Sequence, residues 1–468
     1  MSEPITTTPG IVPVPGVKRS SGPRSLLPLG SAYAFGRDPI RFALDMWHRY
    51  GDIVRIRFLF WHGYLVFHPD QIKHILQDNH RNYTKDIFTL NAFKAFVGNG
   101  LVTNDGDSWL HQRRLMQPAF HRKRLAAFGT LITGTTVEML ERWQGFAEQG
   151  QPLDIAVEMM RLTLRIVGQS LFTIDLSNET ETVGRAVTTL SKLVLDYMSA
   201  PFPPLWIPTP RNRHIMSALR TIDTVVQDII TARRQQHTES GDLLSLLLSA
   251  RDEETGAGMS DKQVRDEVMT LLFAGHETTS NLLAWTWYVL AQHPEVEQRL
   301  HAELDAVLAG QRPSVEHLTN LPYSRMVLEE TLRLYPPAWS LARKARAGDC
   351  LGGYAIPAKS VILMIPYVTH RHPAFWEEPE RFDPERFTPE RAAARPRYAY
   401  FPFGGGPRQC IGNNFALMEA HLILATVAQR YHLHLVPGHA VELETLLTLR
   451  PRYGLPMTLK PTEQHQLR

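Results

Sequence analysis

From residue 69 to about residue 335, apolar residues recur at the three-and-four spacing of one helix face, broken at Pro- and Gly-rich points such as 201–210 and 256–258. After Pro336 the texture changes to short strands and turns, 352–366 among them, followed by an irregular Pro- and aromatic-rich stretch over 370–407. A last long helix is predicted over about 413–431, with a strand-rich tail behind it. Ahead of the helical body, Asp38-Pro39 opens a helix that Gly51 stops, and two β-rich runs, 52–60 and 64–67, flank a His62-Gly63 turn. The first two dozen residues are rich in Pro, Thr, Ser and Gly and predict a mobile arm over 1–26. No internal repeat or inter-domain linker interrupts 27–468, so the pattern predicts one domain, mainly α with small β-sheets.

Composition narrows the classes without choosing one. The 468 residues are 43% hydrophobic and 21% charged, with a formal net charge of +3. The Lys and Arg residues are dispersed, which gives no reason to expect nucleic acid. Two cysteines, Cys350 and Cys410, supply neither a disulfide framework nor a four-cysteine zinc site, and the chain reads as cytoplasmic. The N-terminus has no basic flank followed by an apolar run, and no apolar stretch approaches the roughly 20 residues that cross a bilayer, so no transmembrane anchor is expected.

Three places carry candidate chemistry. In Phe403-Gly404-Gly405-Gly406-Pro407-Arg408-Gln409-Cys410-Ile411-Gly412 a single cysteine stands just before a helix in a glycine-rich loop. Backbone N–H groups and the helix N-terminus there stabilise a thiolate. A structural cysteine is the plainer alternative. A phosphate cradle is another, but the loop lacks the Lys-Ser/Thr ending. A helix predicted over 261–292, roughly 48 Å long at about 1.5 Å per residue, carries Ala274-Gly275-His276-Glu277-Thr278-Thr279 at its middle. Gly275 and the Thr278 hydroxyl, which competes for the Ala274 carbonyl, are expected to open its ladder locally; a tolerated glycine and a self-satisfied threonine are the alternative. Ser280 stands where a zinc-protease helix needs its second histidine. Glu330 and Arg333 lie three apart on one face of an apolar helix ending at Pro336-Pro337, an arrangement that alone is usually a surface ion pair.

Taken together these segments resemble the cytochrome P450 family. The cysteine loop matches its F-x-x-G-x-R-x-C-x-G signature at Phe403, Gly406, Arg408, Cys410 and Gly412. A chance match of five fixed positions in such a chain is on the order of one in ten thousand. Ala274, Gly275, Glu277 and Thr278 resemble the A-G-x-E-T motif, Glu330 and Arg333 the E-x-x-R motif, Pro384 to Phe387 the P-x-R-F segment, and Trp109 with Arg113 a W-x-x-x-R motif. The resemblance spans about 27–461, in the family's order, and implies a single triangular haem domain.

It further implies haem b with Cys410 as the iron's axial ligand, a strong donor that favours O–O cleavage. Thr278 would hydrogen-bond the bound oxygen while Glu277 helps relay protons. Glu330, Arg333 and Arg386 would fix the cysteine loop as a buried charge network. Trp109, Arg113, Arg343 and Arg408 would serve the haem propionates. Pocket walls by family position are Phe88 to Phe96, Phe273, Ala274, Ala338 and Trp339, which suit a fatty acid, a terpene or a steroid-like molecule. Residues 201–210 fall where the family has its substrate lid, with a static connector as the alternative. No flavin or iron–sulfur domain is fused, so electrons from NAD(P)H would arrive through a ferredoxin or flavodoxin with its reductase. Arg114, Arg122, Lys123 and Arg124 are candidates for that docking surface, or a merely solvated face. The chain is expected to be a monomer. A peroxide-driven peroxygenase and a non-enzymatic haem sensor or carrier are the rival functions, and the Glu277-Thr278 pair argues against both.

Overall fold

The computed structural model describes residues 20–23, 30–58, 61–172, 190, 205–236, 242–251 and 256–462. Their contacts separate into two compact units.

The first unit comprises Met1–Ile87, Ser340–Pro379 and Pro396–Gln409. Its five-stranded sheet runs in the order Ile53–Phe58, Trp61–Val66, Val361–Met364, Leu341–Ala345, Tyr83–Thr84. The helix Pro39–Tyr50 is capped as its sequence predicts: Arg41 N–H donates to Asp38 Oδ1 at 3.0 Å, and Gly51, at φ +84°, donates back to the Trp47 carbonyl at 2.8 Å. The first two strands pair from Ile53↔Val66 to Phe58↔Trp61, so His62 and Gly63 are not a turn but strand residues opposite Arg57 and Ile56. The cause is long-range, because Gly63 through Val66 also pair in parallel with Val361 through Met364. Within the expected arm, Arg55 N–H donates to the Ser21 carbonyl at 3.0 Å, and residues 20–23 lie against the first strand. The remainder of 1–26 lies outside the described residues.

The second unit comprises Phe88–Trp339, Glu380–Arg395 and Cys410–Arg468 and is mainly helical. At its centre runs Asp261–Gln292, 32 residues opened by a reciprocal capping box between Ser260 and Gln263. Ile155–Phe172 packs along it, with the Thr163 hydroxyl donating to the His276 carbonyl at 2.9 Å. Val264, Val268, Leu272 and Phe273 face Ile215, Ile222 and Val226 of Pro210–Gln236 in one apolar core. The last helix is Asn413–Ala428, shorter than the pattern predicts, because Tyr431 is drawn into a strand, Tyr431–Leu435, that pairs with Pro456–Pro461. Residues 201–204 of the expected lid lie outside the described residues, whereas Pro210 opens a helix of its own and Trp206 stands 81% exposed. Among the described residues no helix is long and apolar enough to cross a membrane.

Candidate active site

Most of the long central helix is buried on every side, yet at its middle Ala274 is exposed and Thr278, one turn on, is partly so. Positions four apart share a face, so the two form one open strip. The Thr278 hydroxyl donates to the Ala274 carbonyl at 2.8 Å. The helix is nevertheless continuous through Gly275, and the local opening expected there is absent. A Cβ on Gly275 would lie 3.2 Å from Val167 Cγ2, so the glycine lets Ile155–Phe172 approach closely. Glu277 is buried; its Oε1 accepts from the Thr448 hydroxyl at 2.7 Å, and Thr448 accepts from Asn281 at 2.9 Å. His276 donates from Nδ1 to the Leu272 carbonyl at 2.6 Å, and burial pushes its pKa down, keeping the ring neutral.

In the same unit Cys410 is exposed, three residues before the helix that begins at Asn413. Arg113, on Gly106–Met116, is half-buried; burial lowers its pKa and the charge of Cys410 opposes that shift, which places guanidinium and thiol within electrostatic reach. Trp109 is buried one turn earlier on the same helix. Gly412 leaves space between the Cys410 sulfur and the Phe120 ring, each 4.0 Å from where its Cβ would be.

Glu419 was not among the residues the sequence singles out. It is the one acid in Asn413–Ala428 and fully buried; neither carboxylate oxygen has a hydrogen-bond partner among the described residues, and burial pushes its pKa up to about 8. A carboxylic acid in that range can hold or release a proton near neutral pH. The lone charge in an otherwise apolar helix was the available signal.

Glu330, Arg333 and Arg386 come together in a buried charge cluster. Arg333 donates from Nε and a terminal nitrogen to the two Glu330 oxygens at 2.6 and 2.7 Å, and also to the Arg381 carbonyl at 3.0 Å. Asp383 N–H donates to Glu330 Oε1 at 2.9 Å, and Arg386 Nε lies 3.4 Å from the same oxygen. Glu330 and Arg333 are 0% exposed. Burial raises the pKa of Glu330 and Arg333 counters it. The network clamps Pro384–Phe387 onto Pro322–Leu334.

In the first unit, the glycines ahead of the cysteine have separate jobs. A Cβ on Gly406 (φ +65°) would fall 1.8 Å from the Leu76 carbonyl oxygen, and one on Gly405 would fall 2.3 Å from the Tyr398 ring. Phe401 N–H donates to His370 Nε2 at 3.0 Å, anchoring the loop's start on a buried histidine the sequence did not reveal. Phe403 and Arg408 are partly exposed, and Arg343 is buried on Leu341–Ala345.

The expected pocket walls divide. Phe273 meets Phe93 edge-on with ring centroids 6.2 Å apart. Phe93, Phe96 and Phe273 are all buried and belong to the apolar core, not to a wall. Phe88 is 62% exposed. Trp339 is buried, its indole donating to the Leu446 carbonyl at 2.8 Å, beside a partly exposed Ala338.

The cytochrome P450 family model matches residues 21–457. The chain belongs to the cytochrome P450 family. Relatives of this P450 include a cyclooctat-9-en-7-ol 5-monooxygenase of Streptomyces melanosporofaciens, 37% identical and covering 89% of this chain and 90% of its own. A pentalenene oxygenase of Streptomyces avermitilis is 33% identical, with 95% and 94% covered. The crystal structure of the cytochrome P450DA heme domain superposes with a TM-score of 0.87 at 26% identity, over 96% of this chain and 99% of that one. The fold is therefore the P450 fold, and the protein is a P450 monooxygenase acting on a hydrophobic small molecule.

The family implies haem, and the donor set of the second unit fits it. An exposed thiol ahead of a helix N-terminus, with a guanidinium within electrostatic reach, suits an axial thiolate. Ala274 and Thr278 leave an uncovered strip bearing a hydroxyl on an otherwise buried helix, room a bound group could use.

Proposed function

We propose that this P450 oxygenates a hydrophobic terpenoid. The observation that carries the reading is similarity over nearly the whole chain to two oxygenases whose names specify cyclooctat-9-en-7-ol and pentalenene as substrates. Ala274, exposed on the long helix, is apolar, and an apolar lining selects for shape and apolarity rather than for a polar group.

Bound haem supplies activation of O₂ and insertion of one oxygen atom into substrate. Cys410 would supply the thiolate that holds the haem iron, with Phe403, Gly406 and Gly412 shaping its loop. Ala274 and Gly275 form the adjoining stretch of helix, where Ala274 leaves room and Gly275 permits the close packing that holds the helix in place. The Thr278 hydroxyl can turn from the Ala274 carbonyl to donate toward the open strip. Glu277 would relay protons from behind the helix, where it accepts from the Thr448 hydroxyl, and the buried Glu419 would hold a proton near neutral pH. By family position Trp109, Arg113, Arg343 and Arg408 would hold the propionates.

Electrons come from NAD(P)H through a separate ferredoxin or flavodoxin and its reductase. The exposed Arg114, Lys123 and Arg124 offer a basic docking face, while the Arg122 side chain lies outside the described residues. In this reading the protein is a cytoplasmic monomer with one haem domain over 27–468 behind the 1–26 arm.

The test is turnover of the haem-loaded protein with a ferredoxin, its reductase, NADPH and ¹⁸O₂ on three panels: terpenoids, fatty acids and steroids. The expected result is a substrate-induced Soret shift and a product carrying one ¹⁸O atom from the terpenoid panel alone. Turnover of fatty acids or steroids with none of terpenoids contradicts the substrate class.

A further inference from the structure

We infer that Glu297, His301 and His432 form a binding site for a divalent transition-metal ion of the zinc class, tying helix Pro294–Leu308 to strand Tyr431–Leu435. Glu297 and His301 are four apart, which stacks them one turn over the other on the same helix face. His432 reaches this pair from the strand. Its Nδ1 lies 3.2 Å from Glu297 Oε1, and His301 Nε2 lies 3.7 Å from that oxygen. The three donor atoms all fall within 4.8 Å of one another, and the two imidazole rings have centroids 4.1 Å apart at 37°.

A tetrahedral zinc ion with bonds of about 2.0–2.2 Å requires donor atoms separated by roughly 3.4 Å. Small side-chain rotations therefore bring this triad onto a common ion. Two imidazoles and one carboxylate form a borderline donor set, suited to zinc-like ions and poor for calcium or magnesium, which prefer oxygen. The side chains of Glu297 and His301 are only 15% and 14% exposed, so a bound ion is shielded, while His432 at 36% leaves a way in and a fourth position for water. Two other groups face the site. His434 follows on the same strand face, and Lys460 pairs directly with His432 across the sheet. The Lys460 side chain is exposed and free to swing outward, so its charge weakens the site without filling it. Such an ion would act as a clip between the two elements, a role separate from the oxygenation chemistry.

The probe is Zn²⁺ alone, dialysed against the haem-loaded protein, with zinc counted per haem iron by elemental analysis. One tightly held zinc per haem is expected. His432→Ala and His301→Ala should each weaken it at least about tenfold, since even supporting residues around a metal ordinarily cost that much. The Soret band of each variant reports that it has folded and kept haem. The zinc X-ray absorption edge of the wild type needs no variant and should show scattering from two imidazoles. Equal zinc binding by wild type and His432→Ala, or an edge spectrum with oxygen ligands only, would overturn the site and identify the triad as a hydrogen-bonded His–Glu–His cluster.

Discussion

Glu419 shows how a buried side chain writes itself into the pH dependence of the whole protein. Folding raises its pKa from the ordinary carboxylate range to about 8. The folded state is therefore favoured most at pH values below about 4.3, where the unfolded carboxyl is also protonated, and that advantage is lost as pH rises toward 8. Thermal melts of Glu419→Gln should coincide with wild type near pH 5 and lie several degrees higher at pH 8; identical melts at both values would contradict the assignment. Thr278 concerns chemistry rather than stability. Thr278→Ala keeps the open strip but removes its hydroxyl, so NADPH consumption should continue while product per NADPH falls about tenfold or more and peroxide rises. Cys410 and Thr278 stand out in the sequence because each sits in a motif whose neighbours are themselves constrained. Glu419, His370 and Phe120 do not, because their significance lies in what surrounds them in space.

Elements differ in how far they can be read locally. The long helix was legible to its ends because Ser260 and Gln263 cap one terminus and His293-Pro294 closes the other within a single turn of sequence. The first hairpin was not, since its register is set by a strand some three hundred residues away. Gly275 carries the same lesson in reverse: the sequence shows a weak point in a helix, and the structure shows a close approach to Val167 that keeps the helix intact. Glu330 and Arg333 read alone as a surface pair, and only burial turns them into a clamp. Arg333→Leu leaves the Glu330 carboxylate stranded among apolar groups, a loss of about 3–5 kcal/mol. Chemical denaturation should show that loss together with reduced haem content, whereas an unchanged midpoint would mean the network is not under load.

For the molecule as a whole, function depends on partners the chain must recruit. Arg114 and Arg124 line a cleft of about 560 Å³ together with Arg251 and His121, and this positive surface should steer an acidic electron donor. Charge reversal in Arg114→Glu/Arg124→Glu should raise the KM for ferredoxin several-fold at low salt, with the difference vanishing at high salt; an effect independent of salt would point elsewhere. Everything else in the account presupposes that Cys410 is the iron's ligand. The carbon monoxide difference spectrum of the reduced protein examines that directly. The strongly red-shifted Soret band of thiolate-ligated ferrous haem is predicted for the wild type, lost in Cys410→Ala and moved to shorter wavelength in Cys410→His. Folded wild-type protein that binds haem without that band, or a Cys410→Ala variant that keeps it, would contradict the account.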